Sequence, residues 1–443
     1  MGHILSLTDG VTTFSLVTGN CMLTRYVPET APEGDESPVS ETVELVLFAA
    51  TTVLLQVAEN QLRLLLRVAA ERLATGVGKR LYLQLQLANE ASSWRSEVLG
   101  ANLQLGSEAL TAWGNAQMTV TLHLRRVGFW EGAEVELPLA SKAQTGAATG
   151  GRTIHNCNDS TRGNYVQVAS TAVAGATPAP VRVQLTNISG AGQDYRNLYL
   201  ATNAYSDPAN LVYTLQGEAR QAGYGTVASS SFAANGQHLA VAVNLSYQVN
   251  WDLSAAQMQA AAGRYFRVFM RVTAAPSAAV YVAAEVREEF GLVTLARTPS
   301  ETKISPSSPE LIDLGALPLP PGGGNGSGWG VAVLTLTMRA ATATTLYVDY
   351  LQLMPTESLR HLVQRGMTVP SGDAVVDDGI AGEAYELESG VRQSILIQRG
   401  QPVRVWPGVT QRVYISFDVA GGSAPVDTQT SVRMWYRPRR RAV

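Results

Sequence analysis

The residues of this chain that could do chemistry are few and scattered. Its five histidines, His3, His123, His155, His238 and His361, lie far apart, so no His-x-x-x-His pair can form to hold a metal locally. His123 has the opposite parity to the alternating apolar residues Met118, Val120, Leu122 and Leu124, which predicts that it faces outward. There is no GxSxG elbow and no P-loop, and the two cysteines, Cys21 and Cys157, form no CxxC pair. Both thiols are expected to be free and packed as small apolar groups. The acid pairs Glu288-Glu289 and Asp377-Asp378 supply the carboxylates that glycoside hydrolysis needs. Neighbours along a strand point to opposite faces, however, so turns and solvated edges are the expected setting. No enzymatic activity is expected.

Two further carboxylates stand out by their surroundings. Asp349 lies in the otherwise largely apolar run Leu346–Leu353 and must have a partner there. A structural calcium would serve, as would an arginine or backbone N–H groups; the second arrangement is favoured, and no other cofactor is expected. Asp159, in Asn156-Cys157-Asn158-Asp159-Ser160, sits in an oxygen-rich loop and reads as a turn former first and a metal ligand second. Tyr205, Tyr224, Trp251 and Trp329 fall on loops and are the candidate glycan-binding residues, since flat aromatic faces stack on sugar rings. Packing in the core or at its rim is the alternative for each. The closing Arg437-Pro438-Arg439-Arg440-Arg441 could meet a phosphate or an acidic surface, with a solvated tail as the default.

These residues must be carried by strands. Thr8-Asp9-Gly10 marks a hairpin between Ile4–Leu7 and Val11–Leu16, and the proline-bearing stretch Tyr26–Ser40 reads as an extended loop. Leu62, Leu65, Leu66, Ala69 and Leu73 recur at helical spacing, with Gly76 as the stop. Strict alternation in Leu81–Leu87 and Met118–Leu124 predicts half-buried strands. From residue 165 to 353 some eight short β-prone runs alternate with turn residues, the pattern of a jelly-roll sandwich. Its one helical insertion is Ser254–Ala262, and Pro318–Gly330 is a long loop. Further runs, Val391–Gln398, Val403–Trp406, Arg412–Val419 and Ser431–Tyr436, would suffice for a small β-domain or could return to complete the sheets of the first domain.

The chain has 443 residues, which suits several domains. The Ala-, Gly-, Thr- and Ser-rich run Ala140–Arg152 reads as a linker. The expected organisation is mainly β: a helix-bearing β-sandwich over 1–140, a jelly roll over 141–356 and a small β-domain over 357–443. A net charge of -3 argues against nucleic acid as the main partner. Only three of the 33 basic residues are lysine, which fits bidentate arginine pairing at subunit contacts or a GC-rich genome. Val43–Leu55 is too short and too polar to span a bilayer, and Met1–Asn20 lacks the pattern of a signal peptide.

Several segments resemble the distal tail and minor tail proteins of long-tailed, siphovirus-like bacteriophages. They are Leu7-Thr8-Asp9-Gly10, Arg125-Arg126-Val127-Gly128-Phe129-Trp130-Glu131-Gly132 with Glu136–Leu139, Asn156–Asp159, Gly163–Val166, Leu353-Met354-Pro355 and Val432–Arg439. The resemblance implies a ring-forming amino-terminal β-sandwich, with six copies as the usual number, stacked on the tail tube. It also implies a projecting jelly roll similar to a carbohydrate-binding module. The partners it implies are further copies of the chain, the tail tube protein, the tape measure protein and tail tip or hub proteins of the baseplate, with a host-surface glycan as a further ligand. Synthesis in the host cytoplasm and residence in the virion tail follow from the same resemblance, with neither nucleic-acid binding nor membrane insertion.

Overall fold

The computed structural model describes residues 3–32, 37–106, 116–192, 195–203, 214–288, 293–307, 310–319, 332–363, 368–418 and 428–442. The protein is mainly β, with two α-helices among the described residues, α1 (Thr52–Thr75) and α2 (Ala255–Ala261). It divides into two compact units, Met1–Val135 with Ala174–Thr177 and Arg437–Val443, and Glu136–Val173 with Pro178–Tyr436.

The first unit is built on an antiparallel sheet. Its strand order is Thr13–Ser15, Ile4–Thr8, Leu81–Gln86, Trp94–Leu105, Gln117–Arg126, Val39–Phe48 and Cys21–Tyr26. The opening hairpin closes where the sequence places it: Asp9 Oδ1 accepts from the backbone N–H groups of Val11 and Thr12 at 2.9 and 2.6 Å, an Asp turn that pairs Thr8 with Thr13. One face of the sheet buries Leu5, Leu7, Val43, Leu45, Leu47, Leu81, Leu83, Val120 and Leu122 against α1 residues Leu55, Leu62, Leu65, Leu66 and Ala69. The helix starts on the Thr51 side chain, which accepts from Leu54 N–H at 3.3 Å, and ends on Gly76 at φ 71, the left-handed stop glycine supplies without Cβ strain. Leu73, grouped by spacing with the buried face, is 69% exposed.

The stretch Tyr26–Ser40 is anchored by one buried ion pair where it is described. Arg126 pairs with Glu41, both side chains fully buried. Arg126 also donates to the Glu29 carbonyl at 2.7 Å, while Tyr26 Oη and Glu29 N–H donate to the Glu41 carboxylate at 2.9 Å. Trp130 lies under the Arg126 guanidinium at 4.6 Å. The Arg-Arg segment thus serves the core.

In the second unit two sheets share one hydrophobic cluster. One runs Leu139–Ser141, Tyr165–Val168, Gln411–Asp418, Arg196–Asn203, Ser358–Val363, Ile397–Gly400; the other runs Arg152–His155, Gln429–Tyr436, Ala179–Asn187, Ala374–Asp378, Glu383–Glu388, Val391–Ile395. Alternating residues of both, among them Val166, Val181, Val183, Leu200, Val413, Ile415, Val432 and Met434, are buried between them. Strands from the segment after residue 357 therefore lie in the same sheets as strands between 139 and 203, and the return goes chiefly to these sheets, not to those of residues 1–140 that the sequence offered as the alternative to a separate domain. The run Ala140–Arg152 is no free linker. Leu139 bridges Ala148, and the Arg152 guanidinium donates to the carbonyls of Leu139, Gly146 and Gly151, so small residues that look flexible in sequence form a pinned turn.

Between Arg196–Asn203 and Ser358–Val363 the chain builds an inserted nine-stranded sheet. Two long strands, Gln237–Leu253 and Ala332–Pro355, pair along most of their length, with a register shift at Val243/Leu245 where Leu245 takes φ 61. Past the shift, Ala332–Pro355 continues into a second set of partners. Residues 347–355 pair with Tyr265–Ala274, and 332–340 with Val280–Glu288. One cluster holds the inward residues of both halves, including Val241, Trp251, Phe269, Val282, Leu336 and Leu351. Tyr199 and Tyr414 of the sandwich join that cluster, so insert and sandwich share a core.

Candidate functional site

The outer polar face of the insert carries a groove of about 540 Å³, within the roughly 300–1,000 Å³ usual for small-ligand sites. Its walls include Tyr224, Tyr247, Gln248, Glu285, Arg297 and Arg339. Pairing across the sheet sets them in rows: Gln248 faces Thr337, Ser246 faces Arg339 and Arg339 faces Tyr281, while Asn250, Thr335, Glu285 and Arg297 form one line over four strands. The alternate residues Val249, Trp251, Leu334, Leu336, Val282 and Ala284 point to the core, which leaves the polar parity outside.

The charges of the groove are paired. Glu285 takes Arg287 at 2.7 Å and Arg297 at 3.2 Å. Glu301, also in the wall, takes Arg339 at 2.7 Å and Arg297 at 3.7 Å. Arg339 lies over the Tyr281 ring at 4.3 Å, and Arg287 donates to Gln248 Oε1 at 3.0 Å. Tyr224 Oη accepts from Asn250 Nδ2 at 3.0 Å, and Tyr247 Oη accepts from Gly225 N–H at 3.2 Å. Asn250 Oδ1 and Thr335 Oγ1 are buried beside this wall with no hydrogen-bond partner among the described residues.

Of the aromatic candidates, Tyr224 lines the groove. Trp251 is a correction: it is 1% exposed and its indole N–H donates to the Gln216 carbonyl at 2.8 Å. Its parity on the strand sends it inward, so no sugar can stack on it. Tyr205 and Trp329 lie outside the described residues, as do Glu289 and most of Pro318–Gly330.

Asp349 has the arginine and the backbone donor. Its Oδ2 accepts from Arg271 Nη1 at 2.5 Å and its Oδ1 from Ala234 N–H at 2.9 Å. Burial pushes its pKa up to about 6 against the opposing Arg271 charge. Asp159 is the turn former: its carboxylate accepts from the N–H groups of Thr161 and Arg162 at 2.9 and 2.7 Å and from Arg162 Nε at 2.7 Å. Burial would raise its pKa, but these donors outweigh burial and hold it below the ordinary carboxylate value. Both carboxylates are thus engaged by protein donors, and no group of three or more His, Cys, Asp or Glu side chains is placed to hold a metal among the described residues.

The pair Asp377-Asp378 splits as strand parity requires. Asp377 departs from the solvated setting expected of it, being buried against Arg360 with both contacts at 3.2 Å, while Asp378 takes the expected turn and accepts from Ile380 and Ala381 N–H. His123 is exposed on its strand. Neither cysteine is in a disulfide, both are buried, and burial pushes each thiol up to about 12, away from the thiolate form that reacts.

Three of the closing arginines, Arg437, Arg439 and Arg440, are met by acids of the first unit rather than left as a solvated tail. Arg439–Arg440 pairs with Trp130–Glu131 as a short strand. Arg439 binds Glu131 at 2.7 Å over the Phe129 ring, and Arg440 binds Glu90 at 2.8 Å over Trp94. Sequence reasoning missed Glu285, Arg297, Glu301 and Arg339 as groove residues. Alternation in Thr335, Thr337 and Arg339 was the available signal, but it marks a polar face and says nothing of which acids lie across it.

No family model matches the chain, and no curated protein does. Among solved structures it is similar to the Dit protein of phage SPP1, described as a paradigm of hub adsorption apparatus in phages infecting Gram-positive bacteria, at TM-score 0.30 and 8% identity over 99% of each chain. It is similar to a chain of the phage P2 baseplate in its activated conformation with Ca at TM-score 0.29 and 8% identity over 100% of each. A Paenibacillus xanthan lyase follows at TM-score 0.21 and 8% identity, over 72% of this chain and 36% of that one. Similarity this distant carries no argument for fold or function.

Proposed function

We propose that this protein is a structural subunit of a phage tail tip, a distal tail or minor tail protein whose first unit assembles with copies of itself into a ring. The reading rests on where apolar surface is exposed. Twelve of the twenty large apolar residues that stand exposed among the described residues belong to the first unit, which holds about a third of the chain. Val53, Val57 and Leu64 form a stripe on α1 opposite its buried face, at 66, 47 and 63% exposure. Apolar surface concentrated in this way marks a contact with another protein. The sequence resemblance supplies the identity of that assembly, and two of its segments, Arg125–Gly132 and Val432–Arg439, meet in space through Glu131 and Arg439.

In this reading the ring connects the tail tube and tape measure proteins to tip or hub proteins, and the protein resides in the virion tail. The mass of the purified protein in solution, with imaging of any particle, tests it. A closed ring of about six copies is expected from repeated heterologous contacts; a monomer that persists at tens of micromolar contradicts it. A second reading, a carbohydrate-binding adhesin, is favoured by the groove on the insert and is compatible with the first, since a ring subunit can carry a receptor-binding module.

A further inference from the structure

We infer that the groove walled by Tyr224, Tyr247, Glu285, Arg297, Glu301 and Arg339 binds an uncharged, polyhydroxylated ligand: a short stretch of neutral oligosaccharide. The inference rests on the adhesin reading and gives it a site and a substrate class. The first reason is electrostatic. The wall has two carboxylates and two guanidinium groups, each within 2.7 to 3.7 Å of a partner of opposite sign. A charged ligand would meet guanidinium and carboxylate groups already neutralised by one another and would gain little net attraction. A hydroxyl group suits such a wall, because it donates to a carboxylate oxygen and accepts from a guanidinium N–H at once.

The second reason is exposure. Arg297 and Arg339 keep 48 and 54% of their side-chain surface in solvent and Glu301 keeps 30%, so their outward hydrogen-bonding positions can exchange water for sugar hydroxyls at little desolvation cost. Glu285 is only 6% exposed and is held by Arg287 and Arg297, which gives the floor a fixed geometry. The third reason is the mixture of surfaces. Tyr224 and Tyr247 contribute ring surface, and both hydroxyls are tied to the protein, by Asn250 and by Gly225 N–H, which restrains ring orientation before a ligand arrives.

The full chain should be titrated by calorimetry with cello-, malto- and galacto-hexasaccharides, and with a galacturonate hexasaccharide as the anionic comparison. The wild type is expected to bind at least one neutral hexasaccharide. Glu301→Gln and Arg297→Ala, both at partly exposed positions, should each weaken that binding about tenfold or more, while Val391→Ser, outside the groove, should not. Melting temperatures of the variants check that the fold survives. Binding that both groove variants leave unchanged overturns the groove and keeps the adhesin reading. Binding of the galacturonate alone overturns the uncharged class. Absence of all binding from a protein that forms rings removes both the groove and the adhesin reading, and leaves the tail-tip reading standing.

Discussion

Arg271 and Asp349 show what a buried charge demands. With side chains 3 and 0% exposed, the pair gains little over a well-packed apolar couple, yet either member alone would be a stranded charge. Arg271→Ala is therefore expected to cost about 3–5 kcal/mol, read as a lower denaturation midpoint in urea, and an unchanged midpoint would contradict this account. A pH prediction follows from the same physics. Burial, opposed by Arg271 in one case and Arg360 in the other, pushes Asp349 and Asp377 up to about 6. A carboxyl with a folded pKa above its unfolded value of roughly 3.9 binds protons more readily in the folded state. Its contribution to stability is complete below about pH 4 and is lost as pH rises through about 6. Asp9 has the opposite sign: N–H donors from Thr12 and Val11, with Lys79 beside it, hold it down at about 2, so its contribution is present above about pH 4 and is lost as pH falls toward 2. The unfolding free energy of Asp377→Asn should consequently change less than the wild type between about pH 5 and pH 7; a steeper change in the variant would refute the assignment.

At the scale of elements, α1 serves two surfaces. Its inner row, Leu55, Leu62, Leu65, Leu66 and Ala69, packs on the sheet, and its outer row, Val53, Val57 and Leu64, meets no other described residue closely enough to be covered. Val57→Glu with Leu64→Glu should abolish self-assembly while leaving the circular dichroism spectrum and melting temperature close to those of the wild type, because surface changes away from the core usually stay within about 0.5 kcal/mol. A variant pair that still assembles would move the contact elsewhere in the unit. Legibility was high for this helix. Spacing, the stop at Gly76 and the amphipathic face are local properties, encoded within four residues of one another. Leu73 was misplaced because the helical pattern alone cannot tell which turns of its face are covered by residues distant in the chain. The same holds for Trp251: an aromatic near a turn looks exposed in sequence, and only its strand parity relative to a core shows that it is buried.

At the scale of the whole molecule, the first unit is completed by the far end of the chain. Arg437, Arg439 and Arg440 meet Glu131, Glu134 and Glu90 over sequence separations of about 300 residues or more. Removing residues 437–443 should destabilise the first unit by about 2 kcal/mol, the scale of a hydrogen bond to a charged group. Faster amide hydrogen exchange at Trp130, Glu131 and Gly132 is the expected signature; exchange there at wild-type rates would mean that the clasp adds nothing. Sequence by itself determined the mainly-β class, the opening hairpin, α1, the helical insertion that became α2, and the need of Asp349 for a partner, because each depends on side-chain period, turn chemistry or burial that neighbours along the chain express. Tertiary structure alone decided that strands after residue 357 complete sheets begun before 203, that Glu285, Arg297, Glu301 and Arg339 share one wall, and that the last arginines return to the first unit. Alternating strands look alike to any potential partner, and the choice among them is made by the fit of whole faces and the pairing of charges brought together from distant parts of the chain.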